Sequence, residues 1–251
     1  MKADLEQRLL ERFPRLFGAT DDTPLGCWGI ECGGGWFRVV EAAAEVLAAR
    51  SRVSGETVQA SQIKEKFGSL RFYYYGGDDF ASGAIEAAEM ASIRTCEVSG
   101  APGRLTSGGW VSTLSPEQAK LHGRKLRKGG TIERLVDGRL RGVQRLMIAE
   151  PDMPALYAAL PQRWPHILRC GLDGVPVGWA DVLDTLCEHL DYSSLPEAPH
   201  IAFLGAVDGR LTTEVVGADE HDMGGVAYCC ALSERVDHTS GAHDIPVVRE
   251  E

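Results

Sequence analysis

The sequence lacks any long hydrophobic run. Among its 251 residues the apolar stretch Ile201 to Val207 is one of the longest, far short of the roughly 18–20 residues of a membrane-spanning helix. Its opening, MKADLEQRLLERF, has no apolar segment of the kind that forms a secretory signal, so a cytoplasmic chain with no membrane partner is expected. Catalytic signatures are missing as well. There is no G-x-S-x-G elbow, no H-E-x-x-H helix and no phosphate-binding loop. Positive charge is in deficit: the net charge is −10 and the pI about 5.2. That argues against broad, unspecific DNA binding and suits a binder of basic surfaces. What remains is an ordinary globular mix, 44% apolar and 25% charged. It is enough for a real core, in one large domain or two modest ones.

The seven cysteines form no regular framework, so reduced thiols are expected. Cys187 falls in an amphipathic helical pattern and reads as a small core residue. The adjacent Cys229 and Cys230 cannot both face one side of a helix. Charge is unevenly spread. Nine Lys and Arg lie between Lys120 and Arg145 against two acids, Glu133 and Asp137. This stretch carries +7 and the rest of the chain −17. Such a run reads as a solvated connector, or as a contact strip for phosphate or an acidic partner through Arg124, Lys125, Arg127 and Lys128.

The strongest internal signal is a repeat. Residues 68–101 align without a gap to 209–242, with ten of 34 positions identical. Asp78/Asp219, Gly83/Gly224, Ser92/Ser233 and Arg94/Arg235 are among them. Chance predicts about two or three. Upstream, Cys27 and Gly35-Trp36 match Cys170 and Gly178-Trp179, and Arg12-Phe13-Pro14 matches Arg163-Trp164-Pro165. Each copy predicts a helix, a Gly-rich loop and a second helix opening near Trp36 or Trp179. A hairpin follows (Thr57–Lys64 with Leu70–Tyr75, or His200–Val207 with Leu211–Val216), then a closing helix at about 79–95 or 221–236.

The expected fold class is therefore α+β. It is a tandem duplication of an α-α-β-β-α unit whose β-hairpin packs under helices. The units are 1–105 and 151–251, with a tail from about 244. A basic connector over 106–150 joins them, with a helix at about 116–127 and a hairpin of Ile132–Leu135 with Leu140–Ile148 turning at Asp137-Gly138.

Three blocks in order carry a resemblance: Glu31-Cys32-Gly33-Gly34-Gly35-Trp36, Gln62-Ile63-Lys64-Glu65-Lys66-Phe67-Gly68-Ser69-Leu70-Arg71-Phe72-Tyr73, and Thr95-Cys96-Glu97-Val98-Ser99-Gly100-Ala101-Pro102-Gly103. Over about residues 10–120 the chain resembles a group of uncharacterised bacterial and prophage proteins. Their blocks read ECG-x-GW, QVKEKFGGLRFY, TCEVCG-x-PG and GW-x-x-TLC-x-x-H. The resemblance implies a domain and no activity. It also implies a zinc clip, because the last two blocks offer three cysteines and a histidine. Here those positions hold Cys96, Ser99, Ser115 and Gln118. Neutral hydroxyl and amide groups are poor zinc ligands. The expectation is a metal-free relic and no cofactor, with other contacts holding the turn. In the second copy Asp237 and Ser240 stand where Cys96 and Ser99 stand in the first.

Other residues invite chemistry. Tyr75-Gly76-Gly77-Asp78-Asp79 presents paired acids after a strand, but Asp78 matches Asp219 just before a helix, so capping is the expected role. Asp219, Glu220, His221 and Asp222, with His238 and His243, suggest a divalent-metal cluster. Acids at a helix start are better explained by the helix dipole. His166 and His189 lie near Cys170 and Cys187 in sequence, which does not establish a nucleophile pair. Lys64 and Lys66 share a strand face. The five tryptophans read mostly as core or cap anchors. In Tyr73-Tyr74-Tyr75 alternate rings face opposite ways, so either Tyr74 or the Tyr73/Tyr75 pair is exposed as a binding platform.

Duplication without chemistry, lost zinc ligands and acidity together favour a non-enzymatic protein-binding module. The expected type is an immunity or inhibitor protein that neutralises a bacterial toxin or other enzyme with a basic surface. The alternative is a nucleic-acid-binding or regulatory prophage protein acting through the 120–145 strip. A third reading is an enzyme with a cleft between the copies lined by Tyr75, Asp78, Val216 and Asp219.

Overall fold

The computed structural model describes residues 1–18, 25, 28–127, 132–136, 139–143 and 151–246. Helix α1 (Ala3–Arg12) buries Leu5 and Leu9. It stops before Pro14, which opens the short α2 (Pro14–Phe17) in the first turn, where a missing N–H costs nothing. A 3-10 turn, Gly34–Trp36, leads into α3 (Phe37–Ser54), whose buried side includes Phe37, Val39, Val40, Ala43, Val46 and Leu47. Gly55 ends it in the left-handed conformation (φ 78°), donating its N–H to the Ser51 carbonyl.

Strands β2 (Val58–Lys66) and β3 (Ser69–Gly76) pair antiparallel, and the two-residue β1 (Ile30–Glu31) adds to β2 in parallel. The hairpin turns at Phe67-Gly68, both at positive φ (55° and 79°), the turn type whose twist suits a two-residue loop. Helix α4 (Asp79–Ser92) follows, and the Asp78 carboxylate accepts the Ala81 N–H at 3.0 Å as its cap.

The second half follows the same order of long helices and hairpin, without counterparts of α2 and β1 among its named elements. It contains α6 (Met153–Arg163), a 3-10 turn at Val177–Trp179 and α7 (Ala180–Asp191). Strands β9 (His200–Val207) and β10 (Arg210–Val216) turn at Asp208-Gly209 (φ 50° and 76°), and α8 (Glu220–Ser233) closes the half. Asp219 and Asp222 form a reciprocal capping box at its start.

The connector departs from expectation. Its helix, α5, covers only Pro116–Leu121. Gly123 turns the chain at positive φ (61°), and the Arg124 N–H closes on the Ala119 carbonyl at 2.7 Å. The residues expected to continue the helix instead form β6 (Lys125–Leu126). It pairs with β4 (Arg104–Ser107), which also holds β5 (Thr113–Leu114). Residues β7 (Ile132–Val136) and β8 (Arg139–Val143) pair as a hairpin. Asp137-Gly138 and residues 144–148 of that expectation lie outside the described residues.

The fold is mixed α and β, with small sheets packed on helices. One continuous apolar core runs through both halves. At its centre α4 packs on α8, flanked by α3 and α7. The approach of α4 to α8 is set by two glycines. A Cβ on Gly83 would overlap the His221 carbonyl, and one on Gly224 would overlap the Phe80 carbonyl.

Positions matched by the repeat make matched contacts. Ser92 Oγ accepts the Leu70 N–H at 2.9 Å, and Ser233 Oγ accepts that of Leu211 at 2.8 Å. Gly35 N–H donates to the Glu97 carbonyl, and Gly178 N–H to that of His238. Arg94 reaches across to Asp184 and Glu188 on α7, and Arg235 reaches back to Glu41 and Glu45 on α3. The charged pairs are thus exchanged between halves.

Trp36, Trp164 and Trp179 are fully buried, as expected of core anchors. Trp28 and Trp110 correct that expectation, being mostly exposed; Trp110 follows two glycines at positive φ that carry it away from the core. Among the described residues, no helix is long and apolar enough to cross a membrane.

Candidate functional site

Strand alternation resolves the tyrosine run. Leu70 and Phe72 face the core and Tyr74 packs half-buried against it, so Tyr73 and Tyr75 project outward, 43% and 69% exposed. Lys64, two residues along from Tyr73's partner Gln62 and on the same strand face, holds its ammonium 5.5 Å from the Tyr73 ring. Ser61, Gln62, Lys64 and the three tyrosines line a shallow groove on this face. Phe67 stands exposed at the hairpin tip, and β3 is the edge strand of its sheet. The groove combines aromatic faces, amide and hydroxyl groups and one cation. It is open along its length and does not enclose a small molecule.

Asp78 and Asp79 do not belong to this face. The Asp78 carboxylate, besides capping α4, accepts from Arg50 Nε at 2.6 Å. Burial pushes its pKa up, but the Ala81 N–H and the Arg50 guanidinium outweigh that and hold it below the usual carboxylate range. Asp79 sits in the first turn of α4, where an acid complements the helix dipole. Where α4 meets α8, the helices that follow Asp78 and Asp219 approach backbone to backbone at Gly83 and Gly224.

The clip positions hold no zinc set. Ser115 Oγ caps α5 by accepting the Gln118 N–H at 3.2 Å, and Cys96 Sγ accepts the Ser99 N–H at 3.5 Å. Cys96 is buried with Leu114 and Ala119, and Leu126 packs alongside. A small apolar cluster and a helix cap therefore hold the turn. In the second half the Asp237 carboxylate does the work of Cys96, accepting the N–H groups of Thr239 and Ser240 and the Ser240 hydroxyl.

The basic strip is partly committed to structure. The Arg127 N–H donates to the Leu105 carbonyl and its Nε to that of Thr106. Lys125 lies exposed on β6 and Arg124 is half-buried. Lys128 lies outside the described residues.

Four of the thiols are quiet. Burial pushes Cys32 up to about 12 and Cys230 to about 11, and it also raises Cys187 and Cys229 well above the usual thiol range. Such groups stay protonated and are poor nucleophiles.

The acids and histidines around His221 are dispersed, the acids serving the helix start as expected. Asp219 and Asp222 are spent on the capping box, Glu220 meets Arg50, His238 lies edge-on to Trp179, and His243 approaches Thr95. His221 instead joins two residues that its own segment does not contain. Its Nε2 lies 3.1 Å from Glu86 Oε2 on α4, and its ring stacks 5.2 Å from that of His189 on α7. The Glu86 carboxylate raises the His221 pKa, whereas burial drives that of His189 down to about 4. Sequence reasoning missed this trio because three separate helices supply it.

The chain matches no described protein family, no curated protein and no solved structure.

Proposed function

We propose that this chain is a non-enzymatic protein-binding module built from a duplicated unit, of the immunity or inhibitor type, which neutralises a toxin or other enzyme. The observation that carries the reading is the outer face of the first hairpin. Tyr73 and Tyr75 stand exposed beside Lys64 on a strand whose other face is locked into the core. Rigid tyrosines with little entropy to lose are the residues on which protein interfaces concentrate their binding energy. The net charge of −10 favours a partner with a basic surface and speeds its capture.

The test is affinity capture of the tagged chain from its native cell extract, with and without nuclease, beside a Tyr73→Ala/Tyr75→Ala variant. One stoichiometric protein should co-purify, survive nuclease and moderate salt, and be lost with the variant. A nuclease-sensitive, salt-sensitive mixture would overturn the reading and favour nucleic-acid binding through Arg124, Lys125, Arg127 and Lys128.

A further inference from the structure

Glu86, His189 and His221 meet where the two halves join, and each offers an atom of the kind that binds transition metals. The opposite side of the same junction shows what the fold requires there. By the repeat alignment, the positions equivalent to His189, His221 and Glu86 are Val46, Phe80 and Ala227. Val46 is buried, and Phe80 and Ala227 are partly buried against the core. An apolar set therefore closes one side of the junction, and the polar set on the other side is not needed for packing.

The polar set is costly as it stands. His189 is only 1% exposed, and its Nδ1 is buried without a hydrogen-bond partner. Its Nε2 lies 3.3 Å from the His221 carbonyl. With Nε2 donating there, the other nitrogen keeps a bare lone pair, the arrangement found in metal-bound histidines. Room for the ring has also been made. A Cβ on Gly225 would overlap the imidazole, and the equivalent position in the first half is Ala84. A glycine inside a helix is less favourable than alanine, so its presence here is explained by the ring it admits.

We infer that Glu86, His189 and His221 form a binding site for a divalent transition metal, zinc by ligand type, which ties the two halves together. Zinc bonded at about 2.1 Å sets tetrahedral ligand atoms about 3.4 Å apart. The Glu86–His221 pair is already at 3.1 Å. All three ligand atoms lie within 4.8 Å of one another, and turning the partly exposed His221 ring out of its stack on His189 brings both imidazole lone pairs toward one point. His221 is 33% and Glu86 21% exposed, which leaves a path for the ion and for water as fourth ligand. Two imidazoles and one carboxylate favour zinc or cobalt over magnesium or calcium, which prefer all-oxygen sites.

The test uses the full chain, stripped with a chelator and kept reduced. Zinc is titrated by calorimetry, and cobalt is followed by its visible absorption. One ion per chain should bind, cobalt should show a tetrahedral spectrum, and zinc should raise the unfolding temperature. Glu86→Gln and His221→Gln should each weaken binding at least tenfold while leaving the metal-free unfolding temperature near that of the parent. A second variant guards against misfolding. Glu86→Ala, His189→Val, His221→Phe and Gly225→Ala together install the apolar set of the other side, and this protein should fold without binding zinc. Absence of saturable zinc binding by the folded parent would overturn the inference. So would binding that persists unchanged in the single and fourfold variants, since the ion would then sit elsewhere.

Discussion

Replacing Gly224 with alanine separates what the helix prefers from what the tertiary structure permits. Gly224 lies inside α8, where alanine favours the helix by about 1 kcal/mol, so local propensity predicts a more stable protein. The structure predicts the opposite. The new Cβ overlaps the Phe80 carbonyl oxygen, a backbone atom that cannot swing aside. The helices would have to part by roughly 1.5 Å to restore van der Waals separation. Ala81, Ala84, Ala87, Ala88 and Ala91, all buried on α4, would loosen from their surroundings. Overpacking of this kind costs about 1–3 kcal/mol or more. We expect Gly224→Ala to lose about 2 kcal/mol net of the propensity gain, read from urea unfolding midpoints at constant slope. Gly83→Ala should behave alike, because its Cβ meets the His221 carbonyl. The double variant should cost less than the sum, since helices parted by one methyl already accommodate the other. A Gly224→Ala protein as stable as the parent would refute the close approach of α4 and α8.

The exchanged arginines should differ in weight. Arg94→Ala withdraws a cation from two almost fully buried carboxylates, of which Asp184 keeps Arg163 and the Trp164 N–H, and should cost about 3–5 kcal/mol, carried mostly by Glu188. Arg235→Ala should cost less, about 1–3 kcal/mol, because Glu41 keeps Arg12 and Arg38 and Glu45 is partly solvated; the reverse order in urea unfolding would contradict the structure. Glu41, Asp78 and Asp184 titrate below their usual range, burial pushing each up and the arginines and other donors around them outweighing it. Stability from these groups is present above about pH 4 and lost as pH falls through their folded values. Thermal unfolding should therefore show a decline on the acid side of pH 4, and a flat profile there would argue against the ion pairs. Ser233→Ala removes the acceptor of the buried Leu211 N–H and should cost about 1–3 kcal/mol, with Ser92→Ala matching it; unequal effects would separate the two halves.

Much of the fold was legible in the sequence because its signals act over a few residues. Phe67-Gly68 and Asp208-Gly209 turn where a strand pattern breaks, Asp78 and Asp219 cap the helices they precede, and Tyr73 and Tyr75 share a face because strands alternate. The extra connector strands were hidden because Lys125–Leu126 is too short to carry a period and is fixed only by its pairing with β4. Likewise β1 is two residues long, and its strand character comes from β2.

By itself, the sequence determined the order of the main helices and hairpins, their caps and turns, and the alternation that sets Tyr74 on one strand face and Tyr73 with Tyr75 on the other. Tertiary structure alone decided that the halves dock helix to helix, that Arg94 and Arg235 pair across the junction, and that Glu86, His189 and His221 converge. The partners in those contacts lie between 32 and 194 residues apart. Helical and strand periodicity assigns a side chain to a face, but it does not say which other face will cover it. That choice belongs to the close packing of α4 on α8, which two glycines allow and the buried charges hold in register.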